Sequence, residues 1–111
     1  MTIVREIKEA AQNSPALQGI EESVVYTLTV PATWGTPSGT PTVKVYSYVS
    51  AVYTDVTSTV MPTNSPTAVS QVITMSLLTA LTESVLYRVE IKFSTSEGNT
   101  LEAYGWVKAV R

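Results

Sequence analysis

The sequence predicts an all-β sandwich of about seven antiparallel strands with Greek-key connections. Charged residues make up only 14% of the 111 residues, well below the roughly 25% of an average domain. Thr, Ser and Val take their place, and these residues favour strands and turns. Apolar and polar residues alternate with a period of two in several segments, and Pro, Gly or Asn interrupts them about every 8–12 residues. One domain of this size can bury a core.

The clearest predicted strand covers residues 85–94, where apolar and charged side chains alternate. One face would carry Tyr87, Val89, Ile91 and Phe93, and the other Arg88, Glu90 and Lys92. The sequence Glu97-Gly98-Asn99 is a turn signal, because Gly and Asn tolerate positive φ. Period two then resumes, with Leu101, Ala103, Gly105 and Val107 on one face and Glu102, Tyr104, Trp106 and Lys108 on the other. This pattern predicts a C-terminal β-hairpin.

The preceding part of the chain predicts further strands from the same alternation. Their ranges are residues 23–30, 42–49, 52–60 and 69–77. Residues 31–41 are rich in Pro, Gly and Thr and predict a loop, and residues 61–66 predict a turn.

The first residues fit two structures. Ile3, Val4, Ile7, Ala10 and Ala11 have helical spacing, whereas the alternation of Ile3, Arg5 and Ile7 fits an edge strand. We favour the strand, because a sandwich needs a first strand here. Residues 1–20 are therefore interpreted as an N-terminal arm or edge strand, and residues 21–111 as the sandwich.

Charge and hydropathy exclude several classes of partner. The net charge is −2 and the seven basic residues are scattered, so we expect no nucleic acid, which requires clustered Lys and Arg. No apolar stretch approaches the ~20 residues of a membrane span, and we expect no membrane contact. The beginning of the chain lacks the apolar core of a secretion signal. These features favour assembly in a cytoplasm.

The side chains of most catalytic and metal sites are absent. The chain has no His and no Cys, which excludes Ser–His and Cys–His nucleophile pairs within one chain. The usual ligands of zinc and copper sites are therefore absent from the chain. We predict a protein that is not an enzyme, with no catalytic residue, no cofactor and no metal.

Two groups of carboxylates are the remaining candidates for acid–base or metal chemistry. Glu90 and Glu102 could face each other across the last hairpin, but exposed strand carboxylates are solvating groups far more often than catalysts. Glu21 and Glu22 could bind Ca²⁺ with Asp55, although oxygen cages need more ligands than these three provide.

Outward aromatic residues form the candidate interaction surface. Aromatic side chains on a sheet face can stack on sugars or anchor a protein interface. The alternation places four of them outward, namely Tyr46, Tyr48, Tyr104 and Trp106. Trp34, in the Pro-rich loop, is expected to plug one end of the sandwich.

The segment LTESVLY, residues 81–87, resembles the corner of immunoglobulin-like and fibronectin type III sandwiches. There a Tyr at the start of a strand bonds its hydroxyl to the corner backbone. Leu81 and Tyr87 match the fibronectin pattern, whereas its Pro and Thr are absent. The resemblance implies a structural corner at Leu81 and Tyr87, and an ordinary buried strand Tyr is the alternative.

Residues 26–108 resemble small immunoglobulin-like structural proteins of bacteriophages, over about three quarters of the chain. The matching segments are YTLTVPATWG, KVYSYVSAVYTDVTSTV and LTALTESVLYRVEIKFSTSEGNTLEAY. The resemblance implies a structural virion protein, either a capsid decoration or cement protein or a head-to-tail accessory protein. Its partners would be other virion proteins or further copies of itself, after assembly in the host cytoplasm.

Two functions follow as expectations. The leading one is a virion component that docks on other subunits, with residues 1–20 reaching a neighbour by strand addition to a sheet edge. The alternative is a carbohydrate- or protein-binding adhesion module that uses the outward aromatic residues.

Overall fold

Eight strands form two sheets that share one core. The computed structural model describes residues 15–111. The five-stranded sheet has the order β1-β8-β7-β3-β4 and the three-stranded sheet the order β2-β6-β5. In chain order the strands are β1 Ala16–Gly19, β2 Val24–Thr29, β3 Pro37–Val49, β4 Val52–Asp55, β5 Thr67–Val69, β6 Val72–Leu78, β7 Leu86–Thr95 and β8 Thr100–Val110. The prediction of an all-β sandwich is confirmed.

Strand β7 supplies the centre of the five-stranded sheet, and its alternation separates core from surface. Its inward side chains are all buried, as the sequence predicted: Tyr87, Val89, Ile91 and Phe93. They join Ile73 and Leu78 of β6 in a single apolar cluster. Because this cluster draws on both sheets, removing its apolar surface from water holds the two sheets face to face.

The predicted C-terminal hairpin is confirmed. β7 and β8 pair antiparallel from Leu86 with Lys108 to Ser94 with Thr100. Gly98 closes the turn with φ of 87°, a conformation that Gly adopts without steric cost.

One predicted strand, residues 52–60, is wrong in its second half. β4 ends at Asp55, and a one-turn helix, α1, spans Thr57–Val60. The Asp55 carboxylate accepts hydrogen bonds from the Thr57 backbone N–H at 3.0 Å and from the Thr57 hydroxyl at 2.7 Å. The same hydroxyl oxygen accepts the Val45 N–H at 2.9 Å. These local bonds compete with strand pairing and turn the chain inward.

Most of the strand predicted at residues 69–77 is β6, but its first residue belongs to β5, and the two strands form a hairpin. β5 and β6 are separated by a turn with Ser70 at φ of 52°. β6 buries Ile73, Met75 and Leu78, whereas Leu77 is exposed. Its pairing with β2 is irregular between Val25 and Thr27. The alternation of inward and outward side chains therefore shifts by one residue, and Leu78 is buried instead of Leu77.

The predicted loop at residues 31–41 is shorter than expected. A single 3₁₀ turn covers Ala32–Trp34, and β3 already begins at Pro37. The pairing of β3 with β7 is irregular between Ser38 and Thr42. This irregularity accommodates a Pro- and Gly-containing sequence within a strand.

Only the last part of the predicted N-terminal arm, residues 1–20, lies within the described residues. The choice between helix and strand for residues 1–12 lies outside the described residues. β1 is an edge strand of the five-stranded sheet and pairs parallel with β8, from Ala16 with Val107 to Gly19 with Val110. The structure therefore has one parallel pair where only antiparallel pairs were predicted.

Gln18 is the polar side chain that joins β1 to the other sheet. It is fully buried. Its amide nitrogen donates to the Leu78 carbonyl at 2.8 Å and to the Glu22 carbonyl at 3.1 Å, and its amide oxygen accepts the Tyr26 hydroxyl at 3.0 Å. Burial, and then the charge of Glu22, raises the pKa of Tyr26, which keeps this phenol as the donor.

We expect Gln18→Leu to lower the free energy of unfolding by about 1–3 kcal/mol, because it leaves buried polar groups of Leu78 and Tyr26 without partners. Urea denaturation measures this change. The matched control is Leu17→Gln on the same strand, where the side chain is exposed and the effect should stay within about 0.5 kcal/mol. Equal stabilities for the Gln18 variant and the wild type would contradict this role.

Because of Asp55, the free energy of unfolding depends on pH in the acidic range. The two hydrogen bonds from Thr57, first from its hydroxyl and then from its backbone, lower the pKa of Asp55, and the charge of Lys44 adds to this. A lowered folded-state pKa means that the stabilisation is complete above the ordinary value of 3.8 and is lost as the pH falls through the folded-state value.

We therefore expect Asp55→Asn to melt at a lower temperature than the wild type near neutral pH, with a difference that disappears in acid. Thermal melting followed across acidic pH measures both. A difference in melting temperature that stays constant with pH would contradict the assignment.

Candidate interaction surfaces

An aromatic–arginine cluster covers the outer face of the five-stranded sheet at one end. We define it as Tyr48, Tyr53, Arg88, Tyr104 and Trp106. Tyr48 pairs with Tyr53 across β3 and β4, and Arg88 pairs with Trp106 across β7 and β8. The ring centroids of Tyr48 and Tyr53 are 4.7 Å apart, and those of Tyr48 and Trp106 are 5.8 Å apart. These separations are typical of favourable aromatic pairs.

Arg88 binds the cluster together. Its guanidinium carbon lies 4.0 Å from the ring centroid of Tyr104 and 5.7 Å from that of Trp106. The guanidinium also donates to the Tyr53 hydroxyl at 3.3 Å, and its Nε lies 3.3 Å from a carboxylate oxygen of Glu90. Cation–π contacts of this kind contribute about 0.5–1 kcal/mol at exposed sites. Trp106 is only 3% exposed although it points away from the core, because Arg88, Tyr48 and Tyr53 pack around its ring.

Three of the four predicted surface residues meet in this cluster, and one does not. Tyr48, Tyr104 and Trp106 lie together, whereas Tyr46 lies beside Lys44 and Glu90 in a polar depression of the same sheet. Trp34 is half-buried against the core.

Sequence reasoning missed Tyr53. Ser50 and Ala51 both have positive φ, at 49° and 63°, so they form the tight turn that brings Tyr53 opposite Tyr48. Ser50-Ala51 lacks the Asn or Gly that is typical of such turns. The break in alternation at these residues was the only sequence feature that indicated the turn.

The carboxylates of the last hairpin bond to their neighbours. Glu90 is opposite Tyr104, and Glu102 is opposite Lys92. The Tyr104 hydroxyl donates to Glu102. This hydrogen bond, followed by burial and the charges of Glu102 and Glu90, raises the pKa of Tyr104, while Arg88 opposes the shift.

The three-stranded sheet presents a second surface of different chemistry, which we name the uncharged face. Its outward residues are Val25, Thr27, Thr29, Thr67, Val69, Val72, Thr74 and Leu77. Val69 is 72% exposed, Leu77 49% and Val25 47%. Val25 lies opposite Leu77, and Val69 opposite Val72, so the apolar side chains are neighbours across the strands.

No charged residue occurs in the chain segments that build this face. Residues 23–43 and 56–82 contain no Asp, Glu, Lys or Arg. Sheet edges exposed to water usually carry charges, especially Lys, which prevent pairing with other chains. Sequence reasoning did not single out this surface, although the two charge-free stretches were a readable signal.

An apolar groove opens at the side of the sandwich, where β8 and β2 face each other. We name it the edge groove. Its volume is about 350 Å³. The lining residues include Ala16, Tyr26, Leu28, Met75, Ile91, Ala103 and Gly105, together with Tyr104 and Trp106 of the aromatic–arginine cluster. Among residues 15–111, β1 pairs with β8 from Val107 to Val110. A Cβ atom at Gly105 would meet no atom within 4 Å, so this Gly widens the groove.

Within residues 15–111, no cluster of three or more acidic residues is placed to hold a metal ion. In the same part of the chain, no helix is long and apolar enough to cross a membrane.

Comparison with models of known protein families gives no match, and comparison with curated protein sequences gives none either.

We expect Arg88→Ala to uncover Trp106, because the guanidinium packs against its ring. In a Trp34→Phe background Trp106 is the remaining tryptophan, and its fluorescence should shift to longer wavelength and become more accessible to acrylamide. Lys92→Ala, an exposed substitution on the same strand, should leave the emission unchanged. An unshifted spectrum in the Arg88 variant would show that other side chains bury Trp106.

Proposed function

We propose that this protein is a non-enzymatic structural component of a bacteriophage particle, a capsid decoration or cement protein or a head-to-tail accessory protein. It docks on other virion subunits through the uncharged face. The observation that carries the proposal is the absence of charge from an exposed sheet that displays Val25, Val69, Val72 and Leu77.

The uncharged face suits a surface that is buried on assembly. Burying apolar area contributes roughly 25 cal/mol per Å², and a surface without charged groups has no ions to desolvate. Thr hydroxyls between the apolar residues keep the face compatible with water before assembly. A partner subunit with a comparable apolar surface would complete the interface.

The immunoglobulin-like type of sandwich, with Greek-key connections, is part of the proposal. The order β8-β7-β3-β4 in one sheet and β2-β6-β5 in the other supports it, because variable-type immunoglobulin domains extend their GFC sheet with an additional C′ strand. The Tyr87 hydroxyl accepts the Thr82 N–H at 2.8 Å, and Leu81 is buried beside it. This arrangement supports a tyrosine corner.

The alternative of a carbohydrate-binding module receives less support. A stacking platform needs exposed aromatic rings, whereas Trp106 is buried beside Tyr48 and Tyr53, and Arg88 lies over Tyr104. Docking on a protein agrees better with these contacts.

Val69→Lys tests the proposal, because a single charge in an apolar interface opposes its desolvation. We expect the variant to lose at least about tenfold in affinity for particles depleted of this protein, as 1.4 kcal/mol suffices for that change. Binding is measured by co-sedimentation.

The matched control is Val52→Lys, which introduces the same charge at a Val that is 59% exposed on the other sheet. It should bind as the wild type does. Undiminished binding of Val69→Lys, or equal losses for both variants, would overturn the assignment of the uncharged face.

A further inference from the structure

We propose that Tyr48 and Tyr53 form an oxidative cross-linking site, at which a one-electron oxidant joins their rings into dityrosine within a single chain. The two rings already lie in contact, with centroids 4.7 Å apart and planes tilted by 40°. The product is a covalent link between β3 and β4. This inference goes beyond the virion role and does not depend on it.

The β3–β4 hairpin sets the two tyrosines directly opposite each other. A two-residue turn joins the strands, and Val49 pairs with Val52 next to it. In such a hairpin the pair beside the turn is hydrogen-bonded. The following pair, Tyr48 with Tyr53, is therefore of the non-hydrogen-bonded kind, in which opposite side chains approach most closely. The backbone register thus brings the rings together.

Neighbouring side chains hold the rings in this arrangement. Trp106 contacts both of them, with centroid distances of 5.8 Å to Tyr48 and 6.4 Å to Tyr53. The guanidinium of Arg88 donates a hydrogen bond to the Tyr53 hydroxyl at 3.3 Å, and its central carbon lies 5.5 Å from the centroid of that ring. Reacting groups that are held in contact before the reaction form a bond faster than groups that must first meet.

None of the other tyrosines has a second tyrosine ring as its neighbour. The chain has six tyrosines, all within residues 15–111, and among them only Tyr48 and Tyr53 have rings in contact with each other. Tyr87 is buried, and the Tyr26 hydroxyl donates inward to a buried amide. Tyr53, by contrast, is 47% exposed, so an oxidant in solution can reach it.

The reaction balances with two equivalents of a one-electron oxidant, such as a high-valent metal complex. Each phenol loses one electron to the oxidant and its hydroxyl proton to water, and a phenoxyl radical remains. Part of its unpaired spin lies on the Cε atoms, and the two radicals couple by forming one Cε–Cε bond. The hydrogen on each coupled carbon then moves to the phenolic oxygen, which restores both aromatic rings. The net change is the loss of two electrons and two protons.

The cross-link would act on the hairpin itself. β4 is the edge strand of the five-stranded sheet and is exposed along its whole length. A covalent bond to β3 keeps this strand paired, because the two rings can no longer separate. The loop that the bond closes spans only residues 48–53, and short loops restrict the unfolded chain less than long ones.

Photo-oxidation of the folded protein with tris(bipyridyl)ruthenium(II) and persulfate tests the proposal, because the ruthenium(III) complex formed in the light is a one-electron oxidant. The wild type should acquire the blue fluorescence of dityrosine while it remains monomeric on a denaturing gel. Trypsin, which cleaves after Lys44 and Arg88, should then release residues 45–88 as one peptide whose mass is lower by that of two hydrogen atoms. The fragment spectrum of this peptide should lack backbone cleavages between Tyr48 and Tyr53.

Phenylalanine variants locate the reacting rings. Tyr48→Phe and Tyr53→Phe each keep a ring in the pair but cannot form a phenoxyl radical, so each should lower the fluorescence at least about tenfold. The matched control is Tyr46→Phe, on the same strand but outside the ring pair, which should give the wild-type yield.

Three results would overturn the proposal: no dityrosine in the oxidised wild type, dityrosine only in covalent dimers, or an undiminished yield in Tyr48→Phe or Tyr53→Phe. Since no particle is present, none of these outcomes bears on the proposed virion role.

Discussion

The buried amide of Gln18 holds the two sheets together along the side where β8 and β2 run. Its three hydrogen bonds reach β6, the turn after β1, and Tyr26 of β2. They tie β1 to the three-stranded sheet, while backbone pairing joins β1 to β8. A buried amide must find partners or destabilise the fold, so these bonds help to fix where β1 lies.

The two sheets present unlike outer faces because charge is divided unequally along the chain. The five-stranded sheet carries Arg88, Glu90, Lys92, Glu102 and Lys108 outward and uses Arg88 to cover Trp106. The three-stranded sheet has no ionisable group on either face except Tyr26. On the five-stranded sheet, outward polar side chains form hydrogen bonds and ion pairs with one another. On the three-stranded sheet, apolar side chains remain exposed to water. On this physical ground, the second face is the one that gains more from burial by a partner.

Period-two alternation was sufficient where pairing is local and regular. It predicted the β7–β8 hairpin and its inward residues, including Tyr87 and Phe93. It failed where a side chain bonded to the backbone, as Asp55 does to Thr57, and where a turn at Ser70 divided a predicted strand. Of the candidate site, Tyr48, Tyr104 and Trp106 were predicted from alternation. Tyr53 depended on an unusual turn, and the edge groove depends on the register of strands far apart in sequence, which alternation does not contain.

A structural role in a particle requires that the protein is present in assembled particles from its source. This requirement can be tested with the wild-type protein alone. Density-gradient sedimentation of the particle fraction, probed with an antibody against this protein, measures that directly. Our account predicts that the protein bands with DNA-filled particles at a constant ratio to the major shell protein. Its absence from every particle band, with all of it recovered among free proteins, would contradict the account.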